Sequence, residues 1–169
     1  MPCESTNYHF CNHEGTLLTT TSTALLSVGD RYDFEIPMRW ADADSQNHLN
    51  NAMYFRYFEE SRMQMLYVGG QKFSEDYSSV VVSTSCDFIK PVMYPARIRV
   101  RNKIVRLGRS SLEAEADLFV VDESQSGPYA RGKWVLVYTS NQTNKAVPWS
   151  EDMLRFMATA IAPYRVIEE

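Results

Sequence analysis

The stretch that decides the fold is residues 39–62, R-W-A-D-A-D-S-Q-N-H-L-N-N-A-M-Y-F-R-Y-F-E-E-S-R. It starts at the end of an alternating segment, crosses a polar loop and enters an apolar run with helical spacing. Asn50 is the predicted N-cap of this helix, because an Asn side chain accepts a hydrogen bond from a first-turn N–H. Carboxylate, imidazole and amide groups gather just before and at this position: Asp42, Asp44, Asn47, His48, Asn50 and Asn51.

Such a cluster at a helix N-terminus suggests a type of chemistry. The N–H groups of the first turn lack partners within the helix, and the helix dipole favours negative charge beside them. Acyl transfer needs this pairing, since an acid attacks a carbonyl or activates water while the N–H groups hold the oxyanion. Most loop aspartates instead brace a turn, so both interpretations stay open for Asp42 and Asp44 on the residues alone.

The rest of the chain alternates with period two in five segments, which predicts five strands: 32–40, 80–88, 98–104, 112–120 and 130–138. Pro37 lies in the first, which is therefore expected at a sheet edge or with a bulge. The apolar stripe of the helix over 51–68 consists of Tyr54, Phe55, Phe58, Met65 and Leu66.

Gly69-Gly70 is predicted to end that helix, and a short final helix is expected over 151–161 with Ser150 as its cap. The order of strand, helix, four strands and helix predicts an α+β fold with an antiparallel sheet over a helix.

Composition limits the other possibilities. A chain of 169 residues fits one domain, expected over 30–169 after a partly ordered N-terminal extension over 1–29. The spacing of Cys3, His9, Cys11 and His13 in that extension matches no common zinc pattern. The net charge of −4 argues against nucleic acid as a partner, and no apolar run is long enough to span a membrane. An odd count of 3 cysteines favours a reducing, cytoplasmic location.

The run D-x-D-x-x-x-H-x-N-N-x-x-Y-x-x-Y-F-E-E-x-R, which begins at Asp42, resembles the hotdog-fold thioesterases of the 4-hydroxybenzoyl-CoA thioesterase type, including bacterial acyl-CoA hydrolases. It also resembles the D-x-N-x-H-x-N-N loop of plant acyl-carrier-protein thioesterases. Asn47 replaces the Gly usual in the bacterial members, and Gln46 replaces an Asn of the plant enzymes. The resemblance implies the hotdog fold, a five-stranded antiparallel sheet wrapped around one long central helix.

The resemblance also implies roles for three residues. Asp44 matches the nucleophile or general base, and His48 matches the histidine of the plant motif. Asn51 matches the position whose backbone N–H serves as the oxyanion donor. Asp42 aligns with a bracing position. Some hotdog thioesterases carry their acid on the helix, but Glu59 and Glu60 are more simply solvated or ion-paired acids.

Four residues are expected to contact the substrate: Tyr54, Arg106, Arg109 and Ser110. The turn at Ser110 resembles a segment that lies near the thioester in some family members, and the two arginines suit CoA phosphates. One strand also carries a cationic stripe, which is either a phosphate site or a solvated face. We favour the solvated face, with the charge balanced by Glu113, Glu115 and Asp117 of the next strand. The stripe comprises Arg97, Arg99, Arg101 and Lys103.

The resemblance thus indicates hydrolysis of an acyl-CoA thioester without a metal or other cofactor. The alternatives are an acyl-carrier-protein thioesterase, a hotdog module that binds an acyl thioester without turnover, and a dehydratase or hydratase on the same fold. A homodimer joined edge to edge, or dimers paired into a homotetramer, is the expected assembly because a bare sheet edge is rarely left exposed.

Overall fold

The computed structural model describes residues 10–11, 17–18, 24–68 and 71–166. Its main elements follow the predicted order: β1 (Arg31–Pro37), α1 (Asn51–Leu66), β2 (Tyr77–Phe88), β3 (Arg97–Leu107), β4 (Ser111–Val120), β5 (Ala130–Ser140) and α2 (Glu151–Ile161). Two-residue strands pair Phe10–Cys11 with Leu17–Leu18 and Tyr67–Val68 with Gln71–Lys72, and 3₁₀ turns cover Trp40–Asp42, Val121–Ser126 and Ala162–Tyr164. The α+β class is confirmed.

The five long strands form one antiparallel sheet in the order β1-β3-β4-β5-β2. The central strands bury the faces that period two predicts: Ile98, Val100, Ile104, Leu112, Ala114, Ala116, Leu118, Trp134 and Leu136. β1 is an edge strand as predicted, and Pro37 is its last paired residue, so the missing N–H falls where the ladder ends. The other edge is β2, which carries a bulge between Val81 and Ser83.

Two aromatic residues do not occupy the predicted inward positions. Trp40 is 76% exposed, because β1 ends at Pro37 and the chain then enters a 3₁₀ turn that breaks the alternation. On α1, Phe55 is exposed and Tyr57 is buried instead. The helix presents the face centred on Tyr57 and Phe58 to the core, and a broad apolar arc does not specify this rotation.

The helical layer also differs from the expectation of one long central helix. α1 has 16 residues and ends at Leu66, two residues before the predicted end, because Tyr67–Val68 turns into a short strand pair. Gly69-Gly70, the predicted terminator, lies outside the described residues. α2 packs beside α1 and buries Phe156 and Met157, so two helices share this layer. The predicted cap of α2 is confirmed, since Ser150 Oγ accepts from the Met153 N–H at 3.1 Å.

The direct ion pairs of the cationic stripe are with acids of β1, while Asp117 of the predicted strand β4 contributes a further favourable charge to Arg101. Arg99 donates twice to the Glu35 carboxylate, at 3.0 and 2.6 Å, and Arg101 donates twice to Asp33, at 2.8 and 2.7 Å. Arg97 lies 3.3 Å from Glu35. These acids belong to β1; β4 pairs with β3 on its other side and places Asp117 opposite Arg101 and Glu115 opposite Lys103. The paired face supports the solvated interpretation over a phosphate site.

Other expectations fall partly outside the described chain. Residues 1–23 of the N-terminal extension, with the group Cys3, His9, Cys11 and His13, lie there apart from the backbone of the short strand pair. Residues 24–29 of the extension are described, and Leu26 is buried in the core. Among the described residues, no three His, Cys, Asp or Glu side chains converge as a metal site. In the same part of the chain, neither helix has the length and apolar character needed to cross a bilayer.

α1 lies in close contact with the sheet at Gly132 of β5. A Cβ built there would lie 2.6 Å from Phe58 Cε2 and 2.7 Å from Cζ, far inside normal contact. Phe58 is itself buried in the core and has no free space to move into. Only glycine at this strand position allows the helix to lie this near the sheet.

Replacing this glycine should therefore destabilise the fold. We expect Gly132→Ala to lower the free energy of unfolding by about 1–3 kcal/mol through overpacking, measured by urea denaturation. In a Phe58→Leu background the same change should cost clearly less, because the smaller side chain leaves room for the methyl group. Equal costs in the two backgrounds would show that the contact with Phe58 is not the reason for the glycine.

Candidate active site

The loop between β1 and α1 is held by the buried carboxylate of Asp42. Its Oδ2 accepts from the Tyr57 hydroxyl at 2.6 Å and from the Arg39 N–H at 3.2 Å. Its backbone carbonyl accepts from the Asn50 N–H at 2.9 Å. Burial alone would raise the pKa of Asp42, but the hydrogen bonds from Tyr57 and Arg39 and the Arg39 charge lower it below its ordinary value. Asp42 therefore joins the strand end, the loop and the helix.

A left-handed turn at Asn47 shapes the middle of the loop. Its φ is +62°, a conformation that Asn adopts more readily than most residues, which explains how Asn fits where the resembling bacterial proteins usually carry Gly. Its side-chain amide donates to the Tyr94 carbonyl at 2.8 Å. The Leu49 N–H donates to the Val92 carbonyl at 2.8 Å, so the loop is attached to the connection between β2 and β3.

Asp44 lies exposed on this braced loop. Its Oδ1 accepts from the Gln46 N–H at 2.8 Å and from the His48 N–H at 3.1 Å. Within the described part of the chain, Oδ2 has no hydrogen-bond partner. One carboxylate oxygen therefore braces the turn, and the second is left for another interaction.

The first turn of α1 provides a donor beside this carboxylate. Asn50 is the cap, as predicted: its Oδ1 accepts from the Ala52 N–H at 3.0 Å, and its backbone carbonyl accepts from Met53. The Asn51 N–H has no acceptor among the described residues. The helix dipole adds positive potential at the same point.

An open cleft of about 260 Å³ contains these groups. Its lining is Asp44, His48, Leu49, Asn51, Tyr54, Phe88, Ile89, Lys90 and Pro91. Tyr54 is buried and packs edge-on against Phe88, with ring centroids 4.9 Å apart. Four predicted site residues, Asp44, His48, Asn51 and Tyr54, therefore meet in one cleft.

Comparison with known proteins agrees with this geometry. A family model described as a thioesterase-like superfamily matches residues 38–157, more than half of the chain. The chain belongs to the thioesterase-like superfamily. The hotdog-thioesterase resemblance of the loop is confirmed, and thioester hydrolysis is supported as the general class of reaction.

This superfamily member is similar to a thioesterase candidate from Pseudomonas aeruginosa, PA2801, at 33% identity over 72% of this chain and 94% of that one, with a TM-score of 0.66. It is 28% identical to the uncharacterised protein YsmA of Bacillus subtilis (strain 168) over 119 residues, 70% of this chain and 79% of YsmA. Its fold is that of a 1,4-dihydroxy-2-naphthoyl-CoA thioesterase from Synechocystis, with a TM-score of 0.66 at 16% identity, covering 76% and 96% of the two chains.

Three predicted substrate contacts of the thioesterase-like chain lie elsewhere. Arg106, Arg109 and Ser110 are at the far end of β3 from the loop and do not line the cleft. Arg106 pairs with Glu113 at 3.0 Å, while the Ser110 carbonyl accepts from the Tyr138 N–H. Within one chain these residues are not brought together with Asp44.

The helix acids have partners in the structure. Glu59 lies 3.6 Å from Arg56, and Glu60 lies 3.5 Å from Arg39, so the ion-paired interpretation of both is supported. Sequence reasoning missed a different set, the cleft residues Phe88, Ile89, Lys90 and Pro91. They lie at the end of β2 and directly after it, and the position of β2 in the sheet brings them to α1. No local sequence pattern indicates this contact. Lys90 donates to the Ser126 carbonyl and lies over the Tyr129 ring, 4.7 Å from its centroid.

The bracing role of Asp42 can be tested through stability. We expect Asp42→Asn to lower the free energy of unfolding by about 1–3 kcal/mol at neutral pH, the scale for hydrogen bonds to a buried charge. Because its pKa is lower in the folded chain, the carboxylate stabilises the fold above its unfolded pKa of about 3.9, and this contribution is lost as the pH falls through the folded value. The difference between wild type and variant should therefore shrink below about pH 4.

Urea unfolding at pH 7 and pH 3 gives both differences. Tyr57→Phe is the matched control, because it removes only the hydroxyl that donates to Asp42. In the double variant the loss of unfolding free energy should be smaller than the sum of the two single losses, because both changes remove the same hydrogen bond. A difference that is the same at both pH values would contradict a role for the ionised carboxylate.

Proposed function

We propose that this protein hydrolyses acyl-CoA thioesters to a free acid and CoA. The observation that carries the proposal is the meeting, in one cleft, of Asp44 and the unpaired Asn51 N–H at the start of α1. Membership of the thioesterase-like superfamily supports the same class of reaction. The Synechocystis relative, named for an aryl-CoA substrate, shares the fold and is consistent with a CoA thioester.

In the proposed reaction, the thioester carbonyl lies in the cleft with its oxygen at the Asn51 N–H. Asp44 acts through Oδ2, either by attacking the carbonyl carbon or by taking a proton from a water that attacks it. Both routes place negative charge on the carbonyl oxygen, where the N–H and the helix dipole stabilise it. The C–S bond then breaks and the CoA sulfur leaves as a thiolate, which takes up a proton. The covalent route adds hydrolysis of an Asp44–acyl anhydride.

His48 has an assisting role in this proposal. Its backbone N–H donates to Asp44 Oδ1, which orients the carboxylate, and its side chain lines the same cleft. An imidazole at this position can hold the attacking water by a hydrogen bond. Tyr54 forms an apolar wall with Phe88 that excludes water from the acyl group.

Asp44→Asn tests the catalytic assignment. Asn keeps an oxygen that can accept from the Gln46 and His48 N–H groups, so the loop should stay folded. We expect hydrolysis to fall by at least about a hundredfold, as for loss of a positioned base or nucleophile. Release of free thiol from a panel of acyl-CoAs measures it, with Glu59→Gln as the matched control on an exposed acid. Near-normal turnover in the Asp44→Asn protein would move the role to another acid.

The same panel separates the alternative functions. A wild-type protein that binds acyl-CoA but releases no thiol is a binding module, and a product mass that shows a changed acyl chain indicates a hydratase or dehydratase. Acyl-carrier-protein thioesters in a second panel decide between the two carriers. Faster release from the protein carrier would favour the plant-type activity.

We further propose a homodimer joined through β2, with pairing into a tetramer as the alternative. Valine side chains on this edge strand are exposed, with Val82 at 59%. Among the described residues, β2 pairs only with β5, so its outer edge is unpaired. An unpaired edge strand of twelve residues with exposed valines at its middle is suited to pairing with another strand, and a two-fold axis would pair it with its own copy.

Antiparallel pairing of two β2 strands would complete the site. The Phe88 end of β2 lies at the cleft, whereas the Tyr77 end pairs with Ser140 beside the turn at Ser110. A two-fold axis across β2 brings the Tyr77 end of the second copy to the Phe88 end of the first. The turn of the second copy, with Arg109 and Ser110, would then approach Asp44, in a position to hold the CoA phosphates.

Mixed dimers test the shared site. Asp44→Asn and the double change Arg109→Ala/Ser110→Ala each damage both sites of a homodimer, but a mixed dimer retains one site with all three residues intact. Equal mixing during refolding should recover roughly a quarter of the wild-type rate at low substrate concentration. Light scattering should show dimers or tetramers throughout. The shared site would be contradicted if the two variants fold and mix but recover no hydrolysis. A monomer with full activity would contradict it as well.

A further inference from the structure

A second hollow lies further along the seam between α1 and β2. It is lined by Ala52, Met53, Phe55, Arg56, Glu59, Arg62, Val81 and Thr84. The Asp44 cleft is bounded by the same two elements at Asn51 and Phe88, so the two spaces follow one another along the helix. We call this second space the distal groove. A group that extends from the reacting carbonyl along α1 would enter it.

Arg62 is the unusual residue of the distal groove. Its side chain lines the groove, yet the residue is only 6% exposed. Its Nε is buried without a hydrogen-bond partner, and among the described residues no carboxylate lies within ion-pair distance of the guanidinium. The other two charged residues of the groove, Arg56 and Glu59, pair with each other at 3.6 Å. Arg62 instead lies over the Trp134 ring, 5.6 Å from its centroid.

A buried guanidinium without an ion-pair partner destabilises the fold. Burial lowers the pKa of Arg62, and the charge of Glu59 on the preceding turn offsets only part of this effect. A buried charge usually requires a counter-ion at close range or a full set of hydrogen bonds. The Tyr32 hydroxyl is likewise buried without a hydrogen-bond partner. Burial raises its pKa, and the Arg62 charge lowers it by a smaller amount. The groove therefore presents a cation whose planar donor fork matches a carboxylate.

Helix geometry sets the distance of this cation from the reaction. Arg62 follows Asn51 by eleven positions on the same helix. At the rise of an α-helix, this separates the oxyanion donor from the backbone of Arg62 by about 16 Å along the axis. An extended acyl chain of the length of a dodecanoyl group spans a distance of this order.

We propose that the distal groove binds an acyl chain that ends in a carboxylate, and that Arg62 is the residue that selects it. The substrate class is then the mono-CoA thioesters of medium- to long-chain dicarboxylic acids. This inference rests on the proposed thioesterase function, because the chain is placed from the carbonyl at Asp44. Val81, Met53 and Phe55 surround the methylene groups, and the far carboxylate pairs with the Arg62 fork.

Kinetics with matched substrates test this specificity. Wild type should hydrolyse dodecanedioyl-CoA with a higher kcat/KM than dodecanoyl-CoA. Arg62→Met keeps a long side chain over Trp134 but removes the charge, and it should lower kcat/KM for the dicarboxylic substrate by about tenfold or more while changing that for dodecanoyl-CoA little. Arg131→Met is the control on an exposed arginine of β5 outside the groove lining and should leave the preference intact. A wild type that prefers dodecanoyl-CoA, or an Arg62→Met protein that keeps the dicarboxylic preference, would overturn the inference.

Binding of the free acids gives a readout independent of turnover. Dodecanedioate should raise the melting temperature of wild type more than dodecanoate does, and Arg62→Met should abolish the difference. If Arg62→Met does not fold, Arg62→Lys keeps the charge without the fork and should weaken the difference. If the protein hydrolyses no acyl-CoA but dodecanedioate still raises its melting temperature more than dodecanoate does, the proposed hydrolysis is refuted and the assignment of Arg62 to a carboxylate is retained. Two results together would overturn the inference: Arg62→Met dissociates the oligomer, and dodecanedioate leaves the melting temperature of wild type unchanged. They would show that the counter-ion of Arg62 comes from a second copy of the chain and not from a ligand.

Discussion

The carboxylate of Asp42 is the constraint on which the candidate site depends. It is buried where β1 leaves the sheet, and it accepts from Tyr57 on α1 and Arg39 before the loop, while its carbonyl holds the Asn50 cap. A buried carboxylate is tolerated only when such donors surround it, so the strand end, the loop and the helix start cannot move independently. Asp44 is carried on this framework, and the catalytic proposal relies on a position that Asp42 sets.

The two sheet edges are treated in opposite ways. Along β1, ion pairs such as the bidentate pair of Arg101 with Asp33 cover the exposed face with charge, and Pro37 ends the ladder. Along β2, valines such as Val82 are exposed beside an unpaired edge. Charge and proline discourage further strand pairing, whereas an apolar edge favours it. This asymmetry is why we place a second copy on β2, next to the cleft and the distal groove.

A buried polar network links the helix to the sheet beneath Arg62. Asn102 donates to Ser61 Oγ at 3.2 Å and accepts from the Trp134 indole at 3.2 Å, and Ser61 donates to the Phe58 carbonyl. These groups satisfy one another, so the network orders the core without a free polar atom of its own. Arg62, directly beside it over Trp134, is not satisfied in this way. The contrast is the physical basis for assigning Arg62 to a ligand.

The sequence by itself determined the features that depend on local geometry: the inward faces of β3, β4 and β5 and the caps Asn50 and Ser150. Period two and capping chemistry act over a few neighbouring residues, so a pattern can show them. The family motif named Asp44, but it could not show that Oδ1 braces the turn while Oδ2 is left unpaired.

Only the tertiary structure decided which elements meet. It exposed Trp40 and buried Tyr57, paired the arginines of β3 with acids of β1, and brought Phe88 to the cleft and Arg62 to an unpaired position. Each outcome depends on strand order and on the rotation of α1 over the sheet. Those are set by packing between residues far apart in the chain, for which a single sequence carries no local signal.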